Sequence, residues 1–262
     1  MKEGKTRSGL ILQIGKGFGE IAPLPGFSKE TLEEAVRETL LWMRGEKEPS
    51  LPSVCFGISC AKTDLRSVRL PLCALGPKEG FSHRKLKLGH LTVEAAVALV
   101  KEQKGAVLRL DCNRAWSLSQ ALAFASHFRA TDFAYIEEPV RTTEELIAFS
   151  KTTGFPIALD ESIGIDWSSI PTLKAIIVKP TLVGRVPAVP KQLDLVLSSA
   201  YESGLGLLHI AKLWKKGPPI GLDTYDAFEE DLLTCPIRTA NGFFSWEKEE
   251  PLIDFSKLQR MG

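Results

Sequence analysis

Val107–Asn113 reads VLRLDCN, Phe133–Pro139 reads FAYIEEP, Pro156–Ser162 reads PIALDES and Ala175–Thr181 reads AIIVKPT. Each is a short apolar run that closes on a charged residue, in turn Asp111, Glu137, Asp160 and Lys179. Steps of roughly 20 to 26 residues separate these charges, the length of one strand-plus-helix unit in a (β/α) barrel. Upstream, Lys85 and Lys87 form a K-x-K pair in another strand-like run. The series predicts neighbouring parallel strands that end on charged residues at one mouth of a barrel. Residues two apart on a strand share a face, so both lysines are expected to point into the barrel. Taken alone, with His83 and Arg84 before them, they equally suit a solvated basic face.

The rhythm extends outward from this stretch. Short apolar runs predict strands at Leu70–Ala74, Lys85–Gly89, Val107–Cys112, Phe133–Glu137, Ile157–Asp160, Ala175–Lys179, Leu193–Ser198 and Ile220–Asp223, alternating with helices at Thr92–Gln103, Ser117–Phe128, Thr143–Thr153 and Gly204–Lys215. Two connections lack a helix. Ala74–Arg84 is short and holds Gly76, Pro77 and Gly80, and Leu182–Gln192 holds Gly184, Pro187 and Pro190. The first 65 or so residues follow a different pattern: a strand at Gly9–Gly15, a hairpin turn at Gly15–Gly19 and a second strand near Glu20–Ala22. A helix then follows with Ser28 as N-cap and Leu32, Ala35, Val36, Leu40 and Met43 on one face, and another covers Ser53–Arg66. The fold class is therefore α/β, a modified (β/α) barrel with an N-terminal α+β capping domain, both trimmed. The division expected is 1–68 for the cap or lid, 69–225 for the barrel and 226–262 for a segment returning to the lid.

Composition narrows the function. The 262 residues suit one barrel plus a small cap, and 44% hydrophobic residues supply a sizeable core. A formal net charge of +1 gives no reason to expect nucleic acid or an anionic membrane as partner. Five scattered cysteines without a C-x-x-C pair point to thiols in a reducing cytoplasm, and no apolar run reaches the roughly 18 residues of a membrane span. Gly15–Gly19 lacks the G-x-G-x-x-G spacing and following helix of a phosphate loop. The four histidines show no ligand spacing, and the serines at 198, 199 and 203 lack a nucleophile elbow and suit hydrogen bonds to a ligand.

Three acids at successive strand ends can hold a hard divalent cation, and all-oxygen ligation favours Mg²⁺, or Mn²⁺, with the substrate filling the open positions. Glu138 and Glu161 stand beside two of these acids and are alternative ligands. A lysine beside a second ammonium and a divalent metal is expected to lose part of its affinity for the proton, which makes a lysine base possible near neutral pH.

The chain resembles the ortho-succinylbenzoate synthases of the enolase superfamily, in its muconate-lactonizing-like branch. The resemblance rests on GEIAPLPGFSKET (Gly19–Thr31), RKLKLG (Arg84–Gly89), RLDCNRAW (Arg109–Trp116), IEEP (Ile136–Pro139), LDES (Leu159–Ser162), IVKPTLVG (Ile177–Gly184), SSAYESGLGL (Ser198–Leu207) and GLDT (Gly221–Thr224). It implies that Asp111, Glu137 and Asp160 ligate Mg²⁺, that Lys87 is the acid/base catalyst with Lys85 as helper, and that Lys179 faces the opposite side of the substrate. Ser198 and Gly221 match positions contacting the succinyl end of the ligand, and Asn113 and Arg109 complete the substrate-binding set. The implied reaction is a lyase step in menaquinone biosynthesis: syn dehydration of 2-succinyl-6-hydroxy-2,4-cyclohexadiene-1-carboxylate to 2-succinylbenzoate through an enediolate stabilised by the metal.

Members of this family usually carry an extra strand and a mobile loop of about twenty residues before the segment that opens this chain, a loop of the kind that closes a site against water. Two other readings stay open: N-acylamino acid racemase or dipeptide epimerase activity on the same scaffold, and a degenerate remnant that binds without turnover. Oligomeric state is open, with a monomer possible.

Overall fold

The computed structural model describes residues 7–249 and 252–260. Leu10–Ile14 (β1) and Gly17–Ile21 (β2) form an antiparallel hairpin in which Ile14 pairs with Gly17. The second strand thus begins three residues earlier than the sequence suggests. Leu32–Met43 (α1) and Pro52–Ala61 (α2) complete the cap. Strand β2 lies against α2 so closely that a Cβ on Gly19 would stand 2.0 Å from the Gly57 carbonyl oxygen.

Two expectations about α1 fail. Its N-cap is Thr31, which forms a capping box with Glu34. Ser28 instead accepts a hydrogen bond from the Leu24 amide at 2.8 Å. The buried face holds Ala35, Glu38 and Thr39, while Leu40 and Met43 are exposed. Glu38 is drawn inward because it accepts hydrogen bonds from the Ser50 and Leu51 amides (2.8 and 2.6 Å), the Ser50 hydroxyl and Lys47. Side chain-to-backbone bonding in the following loop outweighs the burial of two apolar side chains.

Val68–Pro71 (β3) leads to the barrel strands Ala74–Leu75 (β4) and His83–Lys87 (β5). Val93–Glu102 (α3), Val107–Asp111 (β6), Leu118–Ala125 (α4), Tyr135–Glu137 (β7), Thr143–Thr153 (α5) and Ile157–Leu159 (β8) follow in strict alternation. Leu173–Val178 (β9), Pro180–Val183 (α6), Asp194–Leu197 (β10) and Gly204–Leu213 (α7) continue the series. Strands β4 to β10 form one seven-stranded parallel sheet in sequence order. The expected eighth strand over 220–223 is reduced to two bridges, Leu72 with Ile220 and Ser198 with Gly221. Its amides still close the ring: Ile220 N donates to Pro71 O and Gly221 N to Leu197 O, at 2.9 and 2.8 Å.

The expected strand over 70–74 splits. Its first part, β3, pairs antiparallel with Phe243–Trp246 (β12), which also pairs with Arg238–Ala240 (β11). The later part joins the barrel as β4, whose connection to β5 holds no helix, as its prolines and glycines predict. The connection after β9 keeps only the single turn α6. The C-terminal segment also packs Phe255 edge-on against Phe18 of β2, with ring centroids 5.8 Å apart. Among the described residues no helix is long and apolar enough to cross a membrane.

Three apolar layers follow from these pairings. A small one lies inside the cap around Ile21, Ala35 and Val54. A narrow one fills the barrel interior with Tyr135, Ala158, Ala175, Ile177 and Val196. The largest lies between the sheet's outer face and the helices. There Trp116, Phe124, Phe128, Phe133, Phe155 and Phe149 form a continuous series of tilted and edge-on ring contacts, each large buried ring worth about 1.5–3 kcal/mol.

Candidate active site

Parallel pairing sets the charged residues in a row. Lys87 on β5 is in register with Asp111 on β6, and Asp111 with Glu137 on β7. Asp160, Lys179 and Ser198 each directly follow the last residue of β8, β9 and β10. The row therefore runs along the C-terminal edge of six adjacent strands, the edge where (β/α) barrels carry their sites. A cavity of about 380 Å³ opens there, lined among others by Lys85, Lys87, Asp111, Asn113, Glu137, Lys179, Ser198 and Gly221. Leu24 and Phe27 of the cap also line it.

Local backbone chemistry aims the acids. Asp111 Oδ1 accepts from the Asn113 amide at 3.0 Å, across a turn in which Asn113 and Arg114 take left-handed φ of 46° and 56°. Glu138, also left-handed at φ 43°, turns its carboxylate into the next loop. It accepts from the amides of Asp160 and Ser162 (3.0 and 2.9 Å) and from the Ser162 hydroxyl (3.0 Å). Glu138 thus braces the segment bearing Asp160, while exposed Glu161 lines the cavity.

The lysines differ sharply. Lys85 is largely buried, with Nζ 2.9 Å from Asp111 Oδ2 and 2.7 Å from Glu137 Oε1. Lys179 pairs with Asp160 Oδ2. Lys87 is exposed at the cavity and has no ion pair or hydrogen bond among the described residues. Burial works against the Lys85 ammonium, but Glu137, Asp111 and Asp160 together outweigh it and hold its pKa well above the ordinary lysine value. Burial also opposes the Lys179 ammonium, and Asp160 and Glu137 again raise its pKa. At Lys179 the carboxylates also outweigh the repulsion of the neighbouring Lys85 ammonium. Burial pushes the Glu137 carboxyl up to about 8, against the pull of Lys85, and Asp111 and Asp160 add to the rise.

Asp111, Glu137 and Asp160 are all buried. Among the described residues Glu137 Oε2 is buried with no hydrogen-bond partner. An all-oxygen donor set with an unsatisfied oxygen fits a hard divalent cation. Among the described residues no three Asp, Glu, His or Cys side chains already converge as a ligand set. Lys85 Nζ instead stands between Asp111 and Glu137, so the acids are gathered but not yet turned to a common point.

The remaining expected residues are also at this mouth. Ser198 Oγ donates to Gly221 O at 3.2 Å, and a Cβ on Gly221 would stand 3.0 Å from that hydroxyl, so glycine keeps the two segments close. Arg109 is in register with Lys85 on the neighbouring strand, buried, with Nη1 donating to Pro219 O at 2.8 Å and its guanidinium 5.6 Å from the Tyr135 ring centroid. One serine does not fit the expectation of ligand contact. Ser203 donates to Glu20 at 2.6 Å, away from the cavity lining, whereas Ser199 lines the cavity and pairs with Thr224 at 2.7 Å. Asp223 went unnoticed in the sequence: its carboxylate lines the cavity, accepts from the Leu75 amide at 2.7 Å and pairs with Lys78 at 2.7 Å. An acid closing the last strand-like run, like the other three, was the signal available for it.

Residues 1–65 match the family described as MenC, N-terminal domain, and residues 74–177 the family described as enolase C-terminal domain-like. The o-succinylbenzoate synthase of Klebsiella pneumoniae (strain 342) is 36% identical over 297 aligned positions, covering 95% of this chain and 92% of that protein. The crystal structure of o-succinylbenzoate synthase from Thermosynechococcus elongatus BP-1, complexed with Mg in its active site, superposes with a TM-score of 0.66 at 25% identity. It covers 84% of this chain and 86% of its own. MenC from Desulfotalea psychrophila LSv54 shares the fold, with a TM-score of 0.69 at 21% identity over 92% of this chain and 98% of its own. With this identity sustained along nearly its whole length, the chain belongs to the o-succinylbenzoate synthase family of the enolase superfamily.

Proposed function

We propose that the chain is a carbon–oxygen lyase that dehydrates 2-succinyl-6-hydroxy-2,4-cyclohexadiene-1-carboxylate to 2-succinylbenzoate in menaquinone biosynthesis. The observation that carries the roles is the inequality of the lysines: Lys85 and Lys179 are each held by acids, and among the described residues Lys87 alone of the three is unpaired at the cavity. Asp111, Glu137 and Asp160 would hold Mg²⁺, which when bound supplies Lewis-acid stabilisation of the substrate carboxylate. Lys87 removes the proton next to that carboxylate. It then returns the proton to the departing hydroxyl on the same face, so water leaves and the ring becomes aromatic. Lys179, four strands away along the row, contributes fixed positive charge on the opposite flank. Lys85 holds Asp111 and Glu137 in place, and Ser198, Gly221, Asn113 and Arg109 form the walls that orient the substrate.

A racemase or epimerase needs an acid/base on each flank, and the Asp160 pairing of Lys179 suits a fixed charge better than a proton carrier. We also propose the division into a cap over 1–68, a barrel over 69–225 and a C-terminal segment over 226–262, supported by the separate apolar cluster of the cap. A cytoplasmic setting belongs to the same reading, supported by five cysteines that are all thiols. The test supplies purified protein with Mg²⁺ and either the cyclohexadiene substrate or an N-acylamino acid in deuterated water. Formation of 2-succinylbenzoate is expected. Exchange at the amino-acid α-carbon without dehydration would reverse the assignment.

A further inference from the structure

Away from the row of charges, a second set of buried polar groups joins the cap to the barrel. Helix α7 has no side-chain cap from its own N-terminal residue Ser203. Glu20 of β2 supplies one from across the interface. Its carboxylate accepts from the Ser203 amide at 3.1 Å, the Ser203 hydroxyl at 2.6 Å and the Gly206 amide at 3.1 Å. A Cβ on Gly206 would stand 2.6 Å from Glu20 Oε2, so glycine there is what admits the carboxylate. Free amides at a helix start are a strong site for a carboxylate, and this one is covalently part of the lid.

Arg7 makes the same junction from the other side. Its guanidinium donates to the carbonyls of Ala22 and Pro23 on the lid, the latter at 2.6 Å, and to Tyr201 O at 3.2 Å on the barrel. Tyr201 takes a left-handed φ of 59°, which a non-glycine residue holds only where its surroundings fix it. Both bridges end beside the cavity. Glu20 and Ala22 lead directly to Leu24 and Phe27, and Ser203 follows Ser198, Ser199, Ala200 and Tyr201; all six of these residues line it.

We infer that Arg7 and Glu20 form a clasp that holds the lid segment 22–27 against the pocket wall 198–203, which makes both residues positioning residues for turnover. The inference rests on the proposed reaction only for its kinetic consequence. Neither side chain lines the cavity, so the clasp acts on substrate through the two walls it joins. Loss of a clasp member leaves Lys87 and the acids untouched, and lets the two walls separate. Substrate binding therefore weakens while the chemical step is kept.

Arg7→Met, Glu20→Gln and wild type are compared by amide hydrogen exchange without substrate, and by steady-state kinetics with Mg²⁺ and substrate. In each variant, exchange over 24–28 and over 198–203 is expected to rise together by about tenfold, the scale of one charge-assisted hydrogen bond, with 107–111 unchanged. KM is expected to rise by about tenfold with kcat within about twofold of wild type. Exchange that rises in only one segment, or in neither, overturns the clasp. So does a fall in kcat at constant KM. If Glu20→Gln does not fold, Arg7→Met decides the outcome, since that side chain is only partly buried. An inactive wild type counts against the proposed reaction and leaves the exchange result to judge the clasp.

Discussion

The barrel mouth and the cap junction both bury carboxylates, and they treat them in opposite ways. At the junction Glu20 receives two backbone amides and a hydroxyl, so its oxygens are satisfied by fixed dipoles. At the mouth Asp111, Glu137 and Asp160 receive ammoniums, and one Glu137 oxygen has no hydrogen-bond partner among the described residues. Dipoles that fully satisfy an acid make it a structural fixture. Ammoniums that leave an oxygen unpaired prepare it for a cationic ligand.

The sharpest break between the two regions is expected at Lys87. Lys87→Ala should lower kcat by about a thousandfold or more, the scale of a lost general acid/base, and leave the Mg²⁺ midpoint unchanged. Wild-type turnover in this variant would end the mechanistic assignment.

The junction should answer to pH instead. Burial pushes the Glu20 carboxyl up to about 7; hydrogen bonds from Ser203 and the charge of Arg7 lower it, and the nearby Glu202 carboxyl adds to the rise. The unfolded chain releases this proton near 4.5 and the folded chain near 7, so the folded state binds more protons between those values. The contribution is fully present below about pH 4.5 and is lost as pH rises through about 7, by at most about 3 kcal/mol. Urea denaturation across pH 4 to 8 should show this slope in wild type and a shallower one in Glu20→Gln. Equal slopes would remove Glu20 as its source.

Mg²⁺ should stabilise the mouth and not the junction. At a hundred times its Kd the ion is expected to add about 2.7 kcal/mol, and the rise in Tm should disappear in Asp160→Asn. A full rise in that variant would take Asp160 out of the ligand set. The smallest effect is expected from Lys179→Arg, which keeps a cation beside Asp160 and should cost dehydration about tenfold, though the wider guanidinium crowds the site. Loss as deep as that of Lys87→Ala would favour a reaction in which Lys179 also carries a proton.

Much of the fold was legible because the strand ends announce themselves. Apolar runs closing on Asp111, Glu137, Asp160 and Lys179 at the barrel's own spacing placed β6 to β9 within a residue or two. Misplacements arose where partners distant in sequence decide. The run over 70–74 serves two sheets because β12, some 170 residues later, claims its first half. Helix α1 turned its acidic Glu38 inward because the loop at 47–51 offers four donors, a local arrangement that hydrophobic periodicity does not register. Asp223 closes an expected strand just as the other acids do, and only its contacts with Leu75 and Lys78 mark it as part of the mouth.

The sequence alone determined the barrel rhythm, the row of acids and lysines, and the two connections too rich in proline and glycine to form a full helix, because period and backbone restriction are local properties. Only the tertiary structure decided which lysine is free, since Lys85 and Lys87 look alike in K-x-K and differ only in what the neighbouring strands bring opposite them. It also decided that Glu138 braces a loop while Glu137 faces Lys85 and the cavity. Adjacent residues on a strand point to opposite sides, and which side is the cavity depends on how the whole sheet curls.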